Sequence, residues 1–282
     1  MSVAADLGQL LRQRELSAYE ERMARALYAY GVDLRRAAWL STSQVARPLV
    51  AGVARAWPRL VRRLTEAVLA PPEAVPGALL EAVATAAERL RTPIPAVRVV
   101  REGAAMPGVL PLGTLHGAVS WLVFDPAAFD ELGPAERAFV VGHGLGHLQC
   151  DHGILFTAHL AAAGRAVPRW TTRRLLGPFT KVAPFSADRA GHLLALDLTA
   201  ARTALAWIER TGRRVAGWPR FPSIDLRLEA LADFDRSTIV SATRRRAAGE
   251  DDARAEVPPR DALPGWSLAR CDARLTRRLG LP

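Results

Sequence analysis

The sequence predicts an α+β fold that is predominantly helical and contains a small sheet. Two observations predict it: apolar residues recur at helical spacing through the first 92 residues, and two runs of strand-forming residues follow. With 282 residues, half of them hydrophobic, the chain can bury the core of one large domain or two small ones. We divide it into an N-terminal helical region (1–92), a core region (93–243) and a C-terminal tail (244–282) that is partly irregular.

The N-terminal region contains three helical patterns. The first carries an apolar stripe formed by Leu16, Tyr19, Met23, Leu27 and Tyr30. The second runs over residues 45–69, contains Pro58 as the site of a kink, and ends before Pro71. The third runs over residues 73–90.

The amino-acid composition changes at the start of the core region. Residues 96–100 and 118–124 have the β-branched and aromatic composition of strands, and residues 103–113 are rich in glycine and proline, which predicts a loop. Pro134 then marks the start of a helix that carries residues 139–152. A long helix is predicted over residues 184–211. The tail after residue 243 has few apolar residues and is predicted to be loosely ordered.

The net charge of +10 does not predict nucleic-acid binding. Of the 38 basic residues only Lys181 is a lysine, a skew typical of a GC-rich genome. The basic runs at 173–174 and 244–246 are short and lack the interleaved aromatics of a nucleic-acid surface. No stretch approaches the roughly 20 apolar residues of a membrane span. Two cysteines are too few for a disulfide framework, which predicts a cytoplasmic protein.

The most informative stretch is His143-Gly144-Leu145-Gly146-His147. Two histidines four residues apart leave one face of a helix and can reach one metal ion. A zinc peptidase also needs a glutamate directly after the first histidine, to take a proton from the metal-bound water. Here Gly144 stands at that position, so the motif predicts a peptidase scaffold that lacks its general base.

Three segments in the same order resemble the M48 family of zinc metallopeptidases. Residues 143–152 are similar to the family's His-Glu-Leu-Gly-His followed by a trailing histidine. Residues 179–191 are similar to aromatic-x-basic-x-x-Glu-x-x-Ala-Asp-Arg-x-Gly, and residues 221–231 resemble His-Pro-x4-Arg-x3-Leu. The resemblance covers residues 94–235 and implies a zincin-like metallopeptidase core.

The departures from the family pattern fall on the positions that carry the chemistry. Gly144 replaces the base, Pro184 stands at the position of the third zinc ligand, and Phe221 replaces a histidine that lines the active site. Asp188 and Arg227 match residues that the family keeps. The resemblance therefore implies a chain that keeps the fold of the family and has lost its catalytic residues.

His143 and His147 are consequently expected to be a vestigial or weak metal pair. Two histidines alone bind zinc poorly, so we expect no tightly bound cofactor and consider zinc as the possible metal. Asp188 is a possible substitute for the third ligand, as are Cys150 and His152. Asp188 can instead orient a histidine by a hydrogen bond.

The same residues also have purely structural interpretations. His143 and His147 can be hydrogen-bonded core histidines, Cys150 a small buried residue, and Pro184 simply the first turn of a helix. Residues 142–146 can also be a glycine-rich phosphate loop, although that interpretation ignores the other two segments.

We predict a degenerate M48-like pseudopeptidase that acts as a non-catalytic protein-binding or scaffolding module. Phe221, Arg227 and Trp121 are expected to line its former cleft. A protein partner is expected at the cleft or at the N-terminal helices. Two alternatives remain: a zinc metalloendopeptidase with a rearranged site, and a metal sensor that uses His143, His147, Cys150 and His152.

Overall fold

The structure is a computed structural model that describes residues 20, 23–115, 119–213, 215, 218–249 and 265–281. Its helices, which we number in chain order, are α1 (Gly31–Thr42), α2 (Arg47–Ala67), α3 (Gly77–Leu90), α4 (Pro126–Asp130), α5 (Pro134–Gln149), α6 (Gly153–Ala163), α7 (Arg169–Thr180), α8 (Ala183–Ala195), α9 (Leu198–Gly212), α10 (Ile224–Asp235), α11 (Thr238–Ala247) and α12 (Leu268–Arg278). The three strands are β1 (Ala96–Val99), β2 (Val109–Leu112) and β3 (Trp121–Phe124). The prediction of a mainly helical α+β fold is confirmed.

The sheet has the order β1-β3-β2, with β1 parallel and β2 antiparallel to the central strand β3. Its two faces belong to two apolar clusters. Val109, Leu122 and Phe124 pack with α5, whereas Leu110, Trp121 and Val123 pack with α2 and α6. Because helices cover both faces, all four residues of β3 are buried and the strand is apolar throughout.

Strand β2 lies inside the segment that was predicted to be a loop, so that prediction is wrong for residues 109–112. The sequence Val109-Leu110-Pro111-Leu112 contains a proline, which has no N–H to donate to a sheet. Since β2 is an edge strand, its proline costs the ladder nothing on the open side.

Helix α5 is the element that carries the histidine motif, and it is predicted correctly apart from its end. Pro134 occupies the first helical position and Glu136 lies in the first turn, where both are favoured. The helix ends at Gln149 because Asp151 adopts a left-handed backbone conformation, with φ at 61°. This turn brings His152 back towards α5, and its N–H donates to the carbonyl of His147 over 2.8 Å.

Helices α5 and α8 cross at very short range because glycines lie at the contact. A Cβ atom on Gly142 would come within 2.9 Å of the carbonyl oxygen of Ala190. A Cβ atom on Gly146 would come within 3.0 Å of the Cα of Ala187, and one on Gly191 within 2.7 Å of the carbonyl oxygen of Phe139. The backbones of α5 and α8 therefore approach closely at these glycines.

The long helix predicted over residues 184–211 is two helices. Leu196 takes a left-handed conformation, with φ at 53°, and ends α8. Asp197 then caps α9, since its carboxylate accepts hydrogen bonds from the N–H groups of Thr199 and Ala200. An aspartate directly before the start of an apolar-periodic run is thus a helix boundary within a segment that looked continuous.

The prediction of a loosely ordered tail is wrong for the described residues 265–281. Helix α12 is capped by Ser267, and its Cys271 and Leu275, four residues apart, are buried. Composition concealed this helix because its remaining positions are mostly arginine and polar residues. Residues 244–247 of the predicted tail belong to α11 and are helical as well. Residues 250–264 and 282 of the tail lie outside the described residues, as do Leu16, Tyr19 and the first residue of the predicted second strand.

The two predicted strands and the predicted helices over residues 45–69 and 73–90 agree with the structure within four residues. Of the first helical pattern, residues 23–26 are helical, residues 27–30 are not, and most of the rest lies outside the described residues. Helix α2 continues through Pro58, and a short 3₁₀ turn at Pro72–Ala74 precedes α3. Within the described part of the chain, no helix combines the length and the apolar character needed to cross a membrane.

Candidate functional site

His143 and His147 lie one turn apart on α5 and meet edge to face, with ring centroids 4.5 Å apart. Their Nε2 atoms are 3.1 Å apart, so the two ring tips converge as the spacing predicted. Both residues are buried, with exposed fractions of 3% and 1%. The pair is therefore assembled inside the protein rather than on the wall of an open cleft.

Asp188 on α8 contacts His143 on the side away from His147. Its Oδ1 lies 3.0 Å from Nδ1 of His143, although out of line for a well-formed hydrogen bond. Arg227 on α10 donates from Nε to Oδ2 over 2.8 Å and from Nη2 to Oδ1 over 2.6 Å. Asp188 thus supports a histidine at Nδ1 and does not reach the point where the Nε2 atoms converge.

Burial alone would raise the pKa of Asp188, but the Arg227 guanidinium more than offsets this and holds that pKa below its ordinary value. Burial lowers the pKa of His143, and lowers that of His147 further still because His143 and His152 also oppose a charge there. At neutral pH the aspartate is ionised and these two imidazoles are neutral.

His152 continues the line of contacts beyond His147. Its Nδ1 lies 2.9 Å from Nδ1 of His147, and its Nε2 lies 3.0 Å from Oδ1 of Asp33 on α1. The hydroxyl of Ser186 donates a short hydrogen bond to the other oxygen of Asp33 and accepts one from the N–H of Tyr30. We call the buried series Asp188, His143, His147, His152 and Asp33 the histidine chain.

Gly144 faces the sheet, and the sheet fills the space in front of it. A Cβ atom on Gly144 would lie 2.7 Å from Cδ1 of Leu122 and 3.2 Å from Cγ2 of Val109. The space beside this position is therefore occupied by two apolar side chains of β3 and β2.

Pro184 lies in the first turn of α8, where proline is favoured, and its side chain offers no metal-binding atom. Among the described residues, His143 and His147 form no close group with a third histidine, cysteine, aspartate or glutamate ligand atom. A catalytic zinc site has three protein ligands and an open position for water. Two buried imidazoles do not meet this requirement, so the residues present do not fit a catalytic zinc.

Phe221 and Arg227 line one cavity. The ring of Phe221 stacks on His147 with centroids 6.2 Å apart, and the cavity has a volume of about 540 Å³. Trp218 and Pro222 line the same cavity. Phe221 thus contacts both the buried His147 and this cavity.

Trp121, also expected in the cleft, lies elsewhere. It points to the face of the sheet opposite Leu122, packs edge to face on Trp57 with centroids 5.8 Å apart, and lies under the Arg98 guanidinium. It is buried and does not line the cavity beside Phe221. Its role is in the core.

A second cavity of about 510 Å³ is an open groove on the other side of α5. We call it the α3–α5 groove. It is lined mainly by apolar side chains, which include Leu79, Ala82, Phe129, Val141 and Leu194. No sequence motif pointed to this groove, because its apolar residues look like ordinary helix core positions.

Asp33 and Ser186 are members of the site that the sequence analysis missed. Asp33 is fully buried although it is an acidic residue, and 119 positions separate it from His152. The signal was weak: an aspartate between Val32 and Leu34 in an apolar helix. Only the tertiary fold brings α1 against the turn between α5 and α6.

Comparisons of the chain with protein-family models, with curated proteins and with solved structures find no match in any of the three.

Proposed function

We propose that this chain is a degenerate relative of the M48 zinc metallopeptidases, with a zincin-like core, and that it acts as a non-catalytic protein-binding module. The observation that carries the proposal is the sealed histidine motif. His143 and His147 converge as a zinc pair does, while Leu122 and Val109 occupy the place of the general base. A pseudopeptidase keeps the fold of the peptidase and lacks a site at which a peptide bond could be hydrolysed.

The positions of the three resembling segments support a common origin with the family. Asp188 meets His143 at the ring nitrogen opposite the converging tips, as a supporting carboxylate does in zinc sites. Arg227 of the third segment binds Asp188 of the second, so the retained residues of separate segments meet. Phe221 stacks on His147 of the first.

Catalysis is disfavoured by two separate losses. General-base catalysis contributes about 10²–10⁴-fold, and Gly144 supplies none. Asp151, the carboxylate nearest along the chain, forms a 2.9 Å salt bridge with Arg25 at the surface. Substrate would also have to displace buried apolar side chains to reach the histidines.

The α3–α5 groove is the surface that we assign to a protein partner. Its apolar lining is bordered by the charged residues Glu81, Arg89, Asp130 and Arg137. An apolar floor with a charged rim suits a helix or extended segment with one apolar face.

Hydrolysis of a fluorescently labelled unfolded protein tests the non-catalytic part. The chain with added zinc and its His143→Ala variant should both give the rate of buffer alone. Hydrolysis by the unaltered chain that a chelator stops and His143→Ala abolishes would establish the rearranged peptidase instead.

Site-specific photocrosslinking in the cells that make the protein tests the binding part. A photoreactive phenylalanine at Ala82 lies in the groove, and one at Ala51, also an exposed helical alanine, lies outside it. We expect a discrete adduct of one size from Ala82 and none from Ala51. No adduct at Ala82, or the same adduct at both positions, would contradict the proposed groove.

A further inference from the structure

A second group of metal-binding atoms lies at the far end of the histidine chain. One ligand atom each from Asp33, Cys150 and His152 lies within 4.8 Å of the others, and all three residues are buried. Carboxylate, thiolate and imidazole are all ligands that zinc accepts. The group is separate from the converging Nε2 atoms of His143 and His147, because His152 meets His147 through its other ring nitrogen.

The two ends of the histidine chain differ in their neighbours. Asp188 has a cation within hydrogen-bonding distance, since Arg227 holds both of its oxygens. The hydrogen-bond partners of Asp33 among the described residues are Ser186 and His152, and neither is a fixed cation. The carboxylate beside the Cys150 thiol is thus the one without a fixed cation.

We propose that Asp33, Cys150 and His152 bind a zinc ion, and that this ion has a structural role. Binding releases the thiol proton of Cys150 to solvent, and the resulting thiolate and the carboxylate of Asp33 face the Zn²⁺. The hydroxyl of Tyr28, hydrogen-bonded to Gln149 over 2.6 Å, adjoins the thiol and is the neighbouring oxygen for a fourth position. The ion ties α1 to the turn between α5 and α6.

A bound metal ion gives the buried thiol a role. Burial raises the pKa of Cys150 well above its ordinary value, so without a metal the group is a neutral thiol. A metal ion that deprotonates the thiol gives it a ligand's role.

Cobalt substitution tests the site, because Co²⁺ bound to a thiolate has an intense sulfur-to-metal charge-transfer absorption. The full chain is produced with Co²⁺ as the supplied metal, and bound cobalt is measured per chain together with the near-ultraviolet spectrum. We expect about one ion per chain and the thiolate band. Absence of bound cobalt, or cobalt without this band, overturns the proposal.

Single substitutions identify the residue that supplies the sulfur ligand. Cys150→Ser should abolish the band, whereas Cys271→Ser, at the other buried cysteine, should keep it. His143→Ala should keep both the bound cobalt and the band, and loss of the cobalt in this variant would overturn the proposal. If Cys150→Ser does not fold, X-ray absorption of the unaltered cobalt protein decides: one sulfur at about 2.3 Å supports the site, and a shell of nitrogen and oxygen alone refutes it.

Discussion

Arg227 and Asp188 form a bidentate ion pair with almost no contact with water, and this pair anchors one end of the histidine chain. A buried ion pair contributes little more than apolar residues of the same volume would. Removing one partner is different, because the other charge then stays buried without compensation. The contribution of these two residues to the free energy of unfolding therefore depends on whether both charges are paired, and less on how many charges are present.

Arg227→Ala should lower the free energy of unfolding by about 3–5 kcal/mol, because Asp188 loses its cation. Arg210→Ala removes an exposed partner of Glu131 and should cost no more than about 1 kcal/mol. Urea denaturation of both variants measures the difference. Equal losses would show that Asp188 is not buried as an ionised group.

Stability should fall as the pH drops below 6.5, the ordinary pKa of histidine. His143 and His147 have lowered pKa values when folded, so the unfolded chain binds more protons in this range and acid favours unfolding. Each group contributes a slope of up to about 1.4 kcal/mol per pH unit. Denaturation between pH 7.5 and 5.5 should show a shallower slope for His143→Gln/His147→Gln. An unchanged slope would mean that neither histidine is held neutral.

The glycines of α5 contact two different elements, helix α8 and the sheet. Gly142 and Gly146 allow the close crossing with α8, and Gly144 accommodates the sheet. Each interior glycine costs a helix about 1 kcal/mol relative to alanine, so this helix owes its stability to packing rather than to its intrinsic propensity. The sequence could not indicate which element would fill the space beside Gly144.

A glutamate at position 144 should destabilise the fold. Gly144→Glu places a carboxyl group against Leu122 and Val109, and overpacking with a buried polar group should cost at least about 3 kcal/mol. Gly77→Glu adds the same side chain in open space at the start of α3 and should change stability by less than about 0.5 kcal/mol. Thermal denaturation compares them. A Gly144→Glu chain as stable as the Gly77→Glu chain would contradict the sealed site.

The helix patterns and the motif spacing predicted the elements well because both depend on local sequence. The convergence of His143 and His147 follows from helical spacing alone. The breaks at Asp151 and Leu196 were missed because each depends on a single left-handed residue that is not a glycine. Strand β2 was missed because its proline resembles loop composition.

At the scale of the whole molecule, both ends of the described chain meet the centre of the fold. Asp272 of α12 accepts a 2.7 Å hydrogen bond from the buried Arg189 of α8 and a 2.9 Å bond from the N–H of Gly31. The hydroxyl of Tyr30 also pairs with Thr276 over 2.7 Å. The histidine chain and this network therefore share α1 and α8. The contact of Asp33 with His152 and the contacts of Asp272 could not be predicted from sequence, since they join residues more than 80 positions apart.

Asp272→Ala should cost about 3 kcal/mol, because Arg189 remains buried without its carboxylate. Arg277→Ala changes an exposed residue of the same helix and should stay within about 0.5 kcal/mol of the unaltered chain. Urea denaturation again provides the comparison. A small effect of Asp272→Ala would mean that α12 does not support the core.

Hydrogen–deuterium exchange at the C2 position of histidine, followed by mass spectrometry at neutral pH, measures whether the His143–His147 pair is closed to solvent. His192 is fully buried and His159 is partly exposed, so they serve as internal references. We expect His143 and His147 to exchange as slowly as His192 and more slowly than His159, because both are buried. Exchange of either histidine at the rate of His159 or faster would show that the pair is open to solvent.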